Sequence, residues 1–150
     1  MRSWLLISAI AAIAALIGAC GPPRAMPVEE VLNQLPRFRG KLITIRTLLR
    51  SGARCRQGEE GEWKTYCKDC VYCRGPLVVE PPGTVTSTNV LDWPMILGGT
   101  WEYKDIRCKG PLNAVECYPF QEGKTYVIRG MLEDQQPPKL LVEKFWLVED

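Results

Sequence analysis

Residues 40–49 read GKLITIRTLL and residues 123–132 read GKTYVIRGML, with Gly, Lys, Ile, Arg and Leu recurring at the same five of ten positions. Each stretch is entered through Gly-Lys, a turn signal. Each continues in the β-branched, aromatic and long apolar residues that strands favour. In the first copy Ile43, Ile45 and Leu49 share one face at period two, while Thr44 and Arg46 lie on the other. The copies differ at Thr47 and Gly130, and a glycine at that point permits the sharp bend of a small barrel. Ten residues are too few to establish a repeat, but they define two similar strands.

Working outward, Pro27 is a good first helical residue. Val28, Val31, Leu32 and Leu35 follow at i, i+3, i+4 and i+7, with Glu29 and Glu30 at the positive end. Pro36 is expected to stop this helix. Residues 52–76 read as a long loop holding four cysteines, and a loop of that length inside a compact domain needs pinning. Residues 77–80 read as a short strand closed by Pro81-Pro82-Gly83, and residues 84–90 as polar and β-prone. Asp92-Trp93-Pro94 and Gly98-Gly99 read as turns, and residues 101–108 as a strand with Trp101 and Tyr103 on one face. A turn at 134–138 leads to a last strand over 140–148. Four to six short strands and one small helix predict a mainly β fold. A small, closed or nearly closed barrel is expected, because closure removes exposed edges.

Composition narrows the function. The chain has 150 residues, a net charge of +2, 46% hydrophobic and 24% charged residues, which are ordinary globular values. It has no His, which excludes a Ser-His-Asp triad, a Cys-His dyad and any His-ligated metal. At the N-terminus, residues 4–17 are apolar except for Ser8. That run is short of the roughly 20 residues a membrane-spanning helix needs, and it suits the core of a secretory signal. On its own it would also serve a signal peptide cut elsewhere or an uncleaved anchor.

The residues that follow are more specific. Residues 16–20, LIGAC, resemble the lipobox of bacterial lipoproteins. The resemblance implies a signal peptide over residues 1–19, cleavage before Cys20, and lipid (including palmitate) on Cys20. Residues 20–27 then form a tether and residues 28–150 the domain. Gly21, where an Asp would signal inner-membrane retention, implies the outer membrane, with the protein facing the periplasm. Residues 28–148 further resemble the OB-fold domains of some small bacterial lipoproteins, a five-stranded barrel. That likeness rests on RGKLITIRTLL, a Cys-rich insert before a strand, CYPFQEGKTYVIRGML, and a closing LLVEKFWLVE.

Export changes how the cysteines read. With Cys20 lipidated, Cys55, Cys67, Cys70, Cys73, Cys108 and Cys117 remain, and an even count in an oxidising compartment reads as disulfides. Cys108–Cys117 is the expected pair, closing a short loop, with Cys55 joined to one member of the 67–73 cluster. The overlapping CxxC units at Cys67, Cys70 and Cys73 could alternatively be a redox dithiol. That needs a helix N-terminus to lower a thiol pKa, and Gly75-Pro76 follows too soon. A zinc site wants two close Cys pairs, which Cys108 and Cys117 do not supply. Glu59, Glu60 and Glu62 read as a solvated loop rather than an acid–base pair.

Binding candidates are Trp93, Trp101 and Tyr103 as an aromatic face, and Arg46 with Arg129, equivalent positions of the two echo strands. The mature net charge is +1, from 18 basic and 17 acidic residues once Arg2 is removed, which does not favour nucleic acid. The basic excess lies in residues 24–74 (11 basic, 6 acidic) and the acidic excess in residues 75–150 (7 basic, 11 acidic). Neither cofactor nor metal is expected. The reading is a non-catalytic, disulfide-stabilised binding or envelope-interaction module whose partners are the membrane, through Cys20, and an envelope protein or small ligand. The alternatives are an exported thiol-disulfide oxidoreductase and a purely structural lipoprotein.

Overall fold

The computed structural model describes residues 21–56, 63–64, 73–81, 89–99, 106–111 and 114–149, with only the backbone of 55–56 and 63–64. In chain order the elements are β1 (Met26–Pro27), α1 (Val28–Asn33), α2 (Leu35–Phe38), β2 (Leu42–Ser51), β3 (Arg54–Arg56) and β4 (Trp63–Lys64). They continue with β5 (Cys73–Gly75), β6 (Leu77–Glu80), β7 (Ile96–Gly99), β8 (Cys108–Gly110), β9 (Thr125–Glu133) and β10 (Lys139–Leu147). A 3-10 turn covers Val90–Asp92.

Five strands close a barrel in the order β2-β6-β7-β10-β9, with β9 returning to pair β2. All contacts are antiparallel except β7 with β10, which is parallel. Counted along the chain, that is first, second, third, fifth, fourth and back to first, the strand order of an OB barrel. The mainly β, small-barrel expectation therefore holds. A second sheet, β4-β3-β5-β8, stands beside it. Residues 52–76 are thus not a plain loop. They contribute three short strands, and β8 joins them from the connection after β7.

The two echo stretches pair with each other. Ile45 stands opposite Ile128, Leu42 opposite Met131 and Leu48 opposite Thr125. The hydrogen bonds repeat about a local two-fold: Gly40 N–H donates to Leu132 O and Gly123 N–H to Leu49 O, both at 2.8 Å. Leu132 N–H donates to Lys41 O and Leu49 N–H to Lys124 O, both at 3.1 Å. Gly40 (φ 68°) and Gly123 (φ 75°) take the left-handed conformation at equivalent ends, where an L side chain costs about 1–2 kcal/mol. Gly40→Ala and Gly123→Ala should each lower the unfolding free energy by about that amount, while Gly21→Ala in the tether should not. Equal urea midpoints for all three variants would refute the two-fold reading of these turns.

The inward faces follow the period of two. Ile43, Ile45, Thr47 and Leu49 are buried on β2, and Tyr126, Ile128 and Leu132 on β9. All of these except Thr47 join Leu77 and Val79 of β6, Leu97 of β7, and Leu140 and Val142 of β10 in one core. Phe120, Tyr126 and Phe145 pack ring against ring, at centroid separations of 5.1, 4.4 and 6.1 Å. Strand β6 is buried along its whole length, Glu80 included. That carboxylate pairs with Arg50, which satisfies the rule that a buried charge needs a partner.

Three further sequence expectations need correction. The single helix is two, because Pro36 sits in the first turn of α2 rather than ending the helical stretch; proline lacks only an N–H that a first turn leaves unused. Val28 and Val31 of α1 and Phe38 of α2 still reach the core. Gly98-Gly99 is not a turn but the end of β7. A Cβ on Gly98 would lie 2.3 Å from Lys139 Cε and 3.0 Å from Leu141 Cδ2, so a bare backbone there admits the neighbouring strand. Val90 lies in the 3-10 turn rather than in a strand. The expectations for residues 84–88 and 101–105 fall outside the described residues.

Candidate functional site

Where β3 and β5 leave the barrel, the chain turns from one sheet to the other and opens a cavity of about 510 Å³. Small-molecule sites commonly enclose about 300–1,000 Å³. Its backbone walls are Gly52, Gly75, Gly98 and Gly99, and its apolar lining includes Trp93, Ile96 and Ile106. Among the described residues, Arg54, Arg74, Arg107 and Lys139 also line it. Among the described residues no carboxylate, thiol or hydroxyl side chain lines it.

Register explains how two of these cations meet. Arg54 of β3 stands directly opposite Arg74 of β5, and Cys55 opposite Cys73. The row continues through Lys109 of β8 and ends at Glu116, bridged to Lys109. Cys73 is buried and disulfide-bonded, which holds β5 in place. The guanidinium of Arg54 lies over the ring of Trp93, 5.0 Å from its centroid. Stacking of this kind fixes the plane of the arginine fork. Partial burial pulls the Arg54 pKa below its usual value, yet a guanidinium stays protonated in proteins.

The predicted site residues separate. Trp93 lines this cavity but is 3% exposed, so it is a wall and an arginine platform rather than an exposed aromatic face. Arg46 and Arg129 both project from the outer face of the β2–β9 pair, two residues out of register with each other. Arg129 is ion-paired with Glu143 at 3.0 Å. Arg46 lines a separate cavity of about 360 Å³ with Glu29 and Pro27. The structure does not gather them with Trp93. The Cys108–Cys117 disulfide is present as expected. Trp101, Tyr103, Cys20, Cys67 and Cys70 lie outside the described residues. Arg54, Arg74, Arg107 and Lys139 were not singled out from sequence. Among the described residues no group of three or more His, Cys, Asp or Glu is placed to hold a metal ion.

Comparison with known proteins finds no matching family model, no matching curated protein and no matching solved structure.

Proposed function

We propose that this chain is a lipid-anchored, non-catalytic binding module of the bacterial cell envelope, attached at Cys20 and facing the periplasm from the outer membrane. The observation that carries the binding reading is the cavity between the barrel and the small sheet. It has the size of a ligand site, glycine backbone in its walls and convergent polar groups, and among the described residues its lining offers no nucleophile paired with a base. The absence of His from the chain supports the same reading. The anchor rests on LIGAC at residues 16–20. One acyl chain gives only marginal membrane binding, whereas several hold a protein stably.

Two measurements test this. Metabolic labelling with a palmitate analogue should mark the wild type and not Cys20→Ser; equal labelling of both sinks the anchor. A photo-cross-linking residue at Arg107, which is exposed and lines the cavity, should capture a discrete species in the envelope. That capture should disappear with Trp93→Ala in a protein whose unfolding transition remains cooperative. An empty cross-link at residue 107, or one indifferent to Trp93, removes the binding module and leaves a structural lipoprotein.

A further inference from the structure

We propose that the end of the barrel carrying Leu42, Leu91, Met131 and Leu141 docks onto the surface of the bilayer that holds the lipid at Cys20, with these side chains at the boundary of headgroups and acyl chains. This rests on the anchored reading of Cys20 and adds how the domain sits on its membrane.

The first support is a break in the polarity of the outer face. The solvated face of an antiparallel sheet is polar. The β2–β9–β10 face obeys this at Thr44 and Arg129, which stand opposite each other, and at Glu143, which pairs with Arg129. One row further on it does not. Leu42 stands opposite Met131, and Met131 opposite Leu141. Leu42 is 46% exposed and Met131 48%. Leu141 is half-buried between Leu140 and Val142, both turned to the core, so it shares the outer side. Neighbouring strands lie about 4.8 Å apart, so the three side chains form one strip about 10 Å across. The strip runs on to β7, where Gly98 stands opposite Leu141 without a side chain. A Cβ there would lie 3.0 Å from Leu141 Cδ2.

The second support is clustering. Gln136, in the turn joining β9 to β10, donates from Nε2 to Leu91 O. Leu91, 56% exposed, is therefore at the same end of the barrel. Among the described residues, three of the five exposed large apolar side chains, Leu42, Leu91 and Met131, gather at this end. Single exposed apolar residues are normal, whereas a gathered patch marks an interaction surface.

The third support is the tether, which selects the occupant. Strand β1 runs parallel to β2, with Met26 beside Ile45 and Pro27 beside Arg46. The chain thus enters β1 from the Leu42 end of β2. Cys20 is six residues before Met26, and six residues reach at most about 20 Å. So short a tether holds the domain at the membrane surface, and contact becomes an intramolecular event. The charges nearby do not oppose it. Lys41, Glu133 and Lys139 border the strip, and Arg39 is ion-paired with Asp134 beside it. The balance is slightly positive, which suits an anionic phospholipid surface. A second copy of the chain fits less well. A strip of this width cannot supply the roughly 1,200 Å² of a stable protein interface, a minimum that a lipid surface does not impose.

The test uses the full-length lipidated protein in vesicles of phosphatidylethanolamine and phosphatidylglycerol, with a benzophenone amino acid placed in turn at residues 131, 91 and 118. Tyr118 is 80% exposed but lies in the connection before Gly123, beyond the far end of the β2–β9 ladder. Apolar groups docked in this way sit about 5–10 Å into the boundary, so phospholipid adducts found by mass spectrometry should be at least about fivefold more abundant at 131 and at 91 than at 118. Changing Leu42→Gln together with Met131→Gln should lower the adduct at residue 91 by about fivefold, because the buried apolar area sets the strength of the contact. Both side chains are exposed, so this variant should keep its fold, and an unchanged urea midpoint checks that. If it does not fold, the comparison of 131 and 91 with 118 decides alone.

Equal adducts at the three positions overturn the proposal. So does an adduct at 91 indifferent to the double variant, or a cross-link from 131 to a second copy in place of lipid. If palmitate labelling at Cys20 persists alongside any of these results, the anchor stands and the docking face fails. If the labelling is absent as well, both fail.

Discussion

Ile45→Ala is expected to remove about 3–4 kcal/mol from the stability of the domain. Ile45 is fully buried on β2 and faces Ile128, also fully buried, across the closing pair of strands. Truncating a buried isoleucine to alanine typically costs about 2–5 kcal/mol, part for the lost transfer and part for the cavity left behind. The upper half of that range is expected here. Both residues sit at the centre of the two-fold ladder, where β2 and β9 are hydrogen-bonded on either side, so the backbone has little freedom to collapse into the space. A domain of this size carries about 5–15 kcal/mol in all, so the loss is a large share. Ile128→Ala should cost a similar amount. The double variant should cost less than the sum, because the second truncation enlarges a cavity already made. Urea unfolding followed by circular dichroism measures each midpoint. A loss below about 1 kcal/mol for either single variant would show that this ladder is not the centre of the core.

What was legible in the sequence was whatever local periodicity controls. Strand β2 alternates along its whole length and β9 from Ile128 onward, β10 is rich in Leu, Val and aromatic residues, and β6 carries an apolar run bounded by prolines. What was hidden depends on partners distant in the chain. The strand β7 ends in Gly98-Gly99, a local turn signal, and becomes a strand only because Leu140, Leu141 and Val142 run parallel to it. Parallel pairing leaves no adjacent hairpin to betray it. Likewise Pro36 marks a boundary in either reading, and only packing of Phe38 into the core decides that a second helix follows.

The candidate site was hidden for a different reason. Arg54 and Arg74 lie in the segment that reads as loop, Arg107 at the end of the expected strand over 101–108 and Lys139 between a turn and a strand, and none belongs to a motif. One signal was present nevertheless. The chain reads Arg54-Cys55 on one side of the insert and Cys73-Arg74 on the other. Any antiparallel pairing that sets the two cysteines opposite must also set the two arginines opposite, as the register does. Pairing Cys55 with Cys73 on the page would therefore have placed Arg54 against Arg74 without coordinates. Trp93 was singled out as an aromatic, but its role follows from burial beneath Arg54, which no sequence pattern encodes.

Replacing both Cys108 and Cys117 by Ser is expected to lower stability by about 2–4 kcal/mol, the usual worth of a native disulfide. The bridge spans a sequence separation of 9, and loop-closure entropy for a ring of that size gives about 2.5–3 kcal/mol. Both sulfur-bearing residues are buried in the main core beside Phe120 and Ile106, so two hydroxyls would also be left in apolar surroundings, which adds to the loss. The effect should reach the cavity. Cys108 opens β8, the strand that pairs β5, and Arg107 of the lining precedes it. Once the loop is free, β8 keeps its pairing with β5 and the Lys109–Glu116 bridge, but loses its covalent stop. Capture by a cross-linker at residue 107 should therefore weaken along with stability, whereas Gly123→Ala should reduce stability alone. Peptide mapping of the oxidised wild type should join Cys108 to Cys117, and the register makes Cys55 the expected partner of Cys73. A double Ser variant with the wild-type urea midpoint would mean that the ladder between β2 and β9 holds this connection without the bridge.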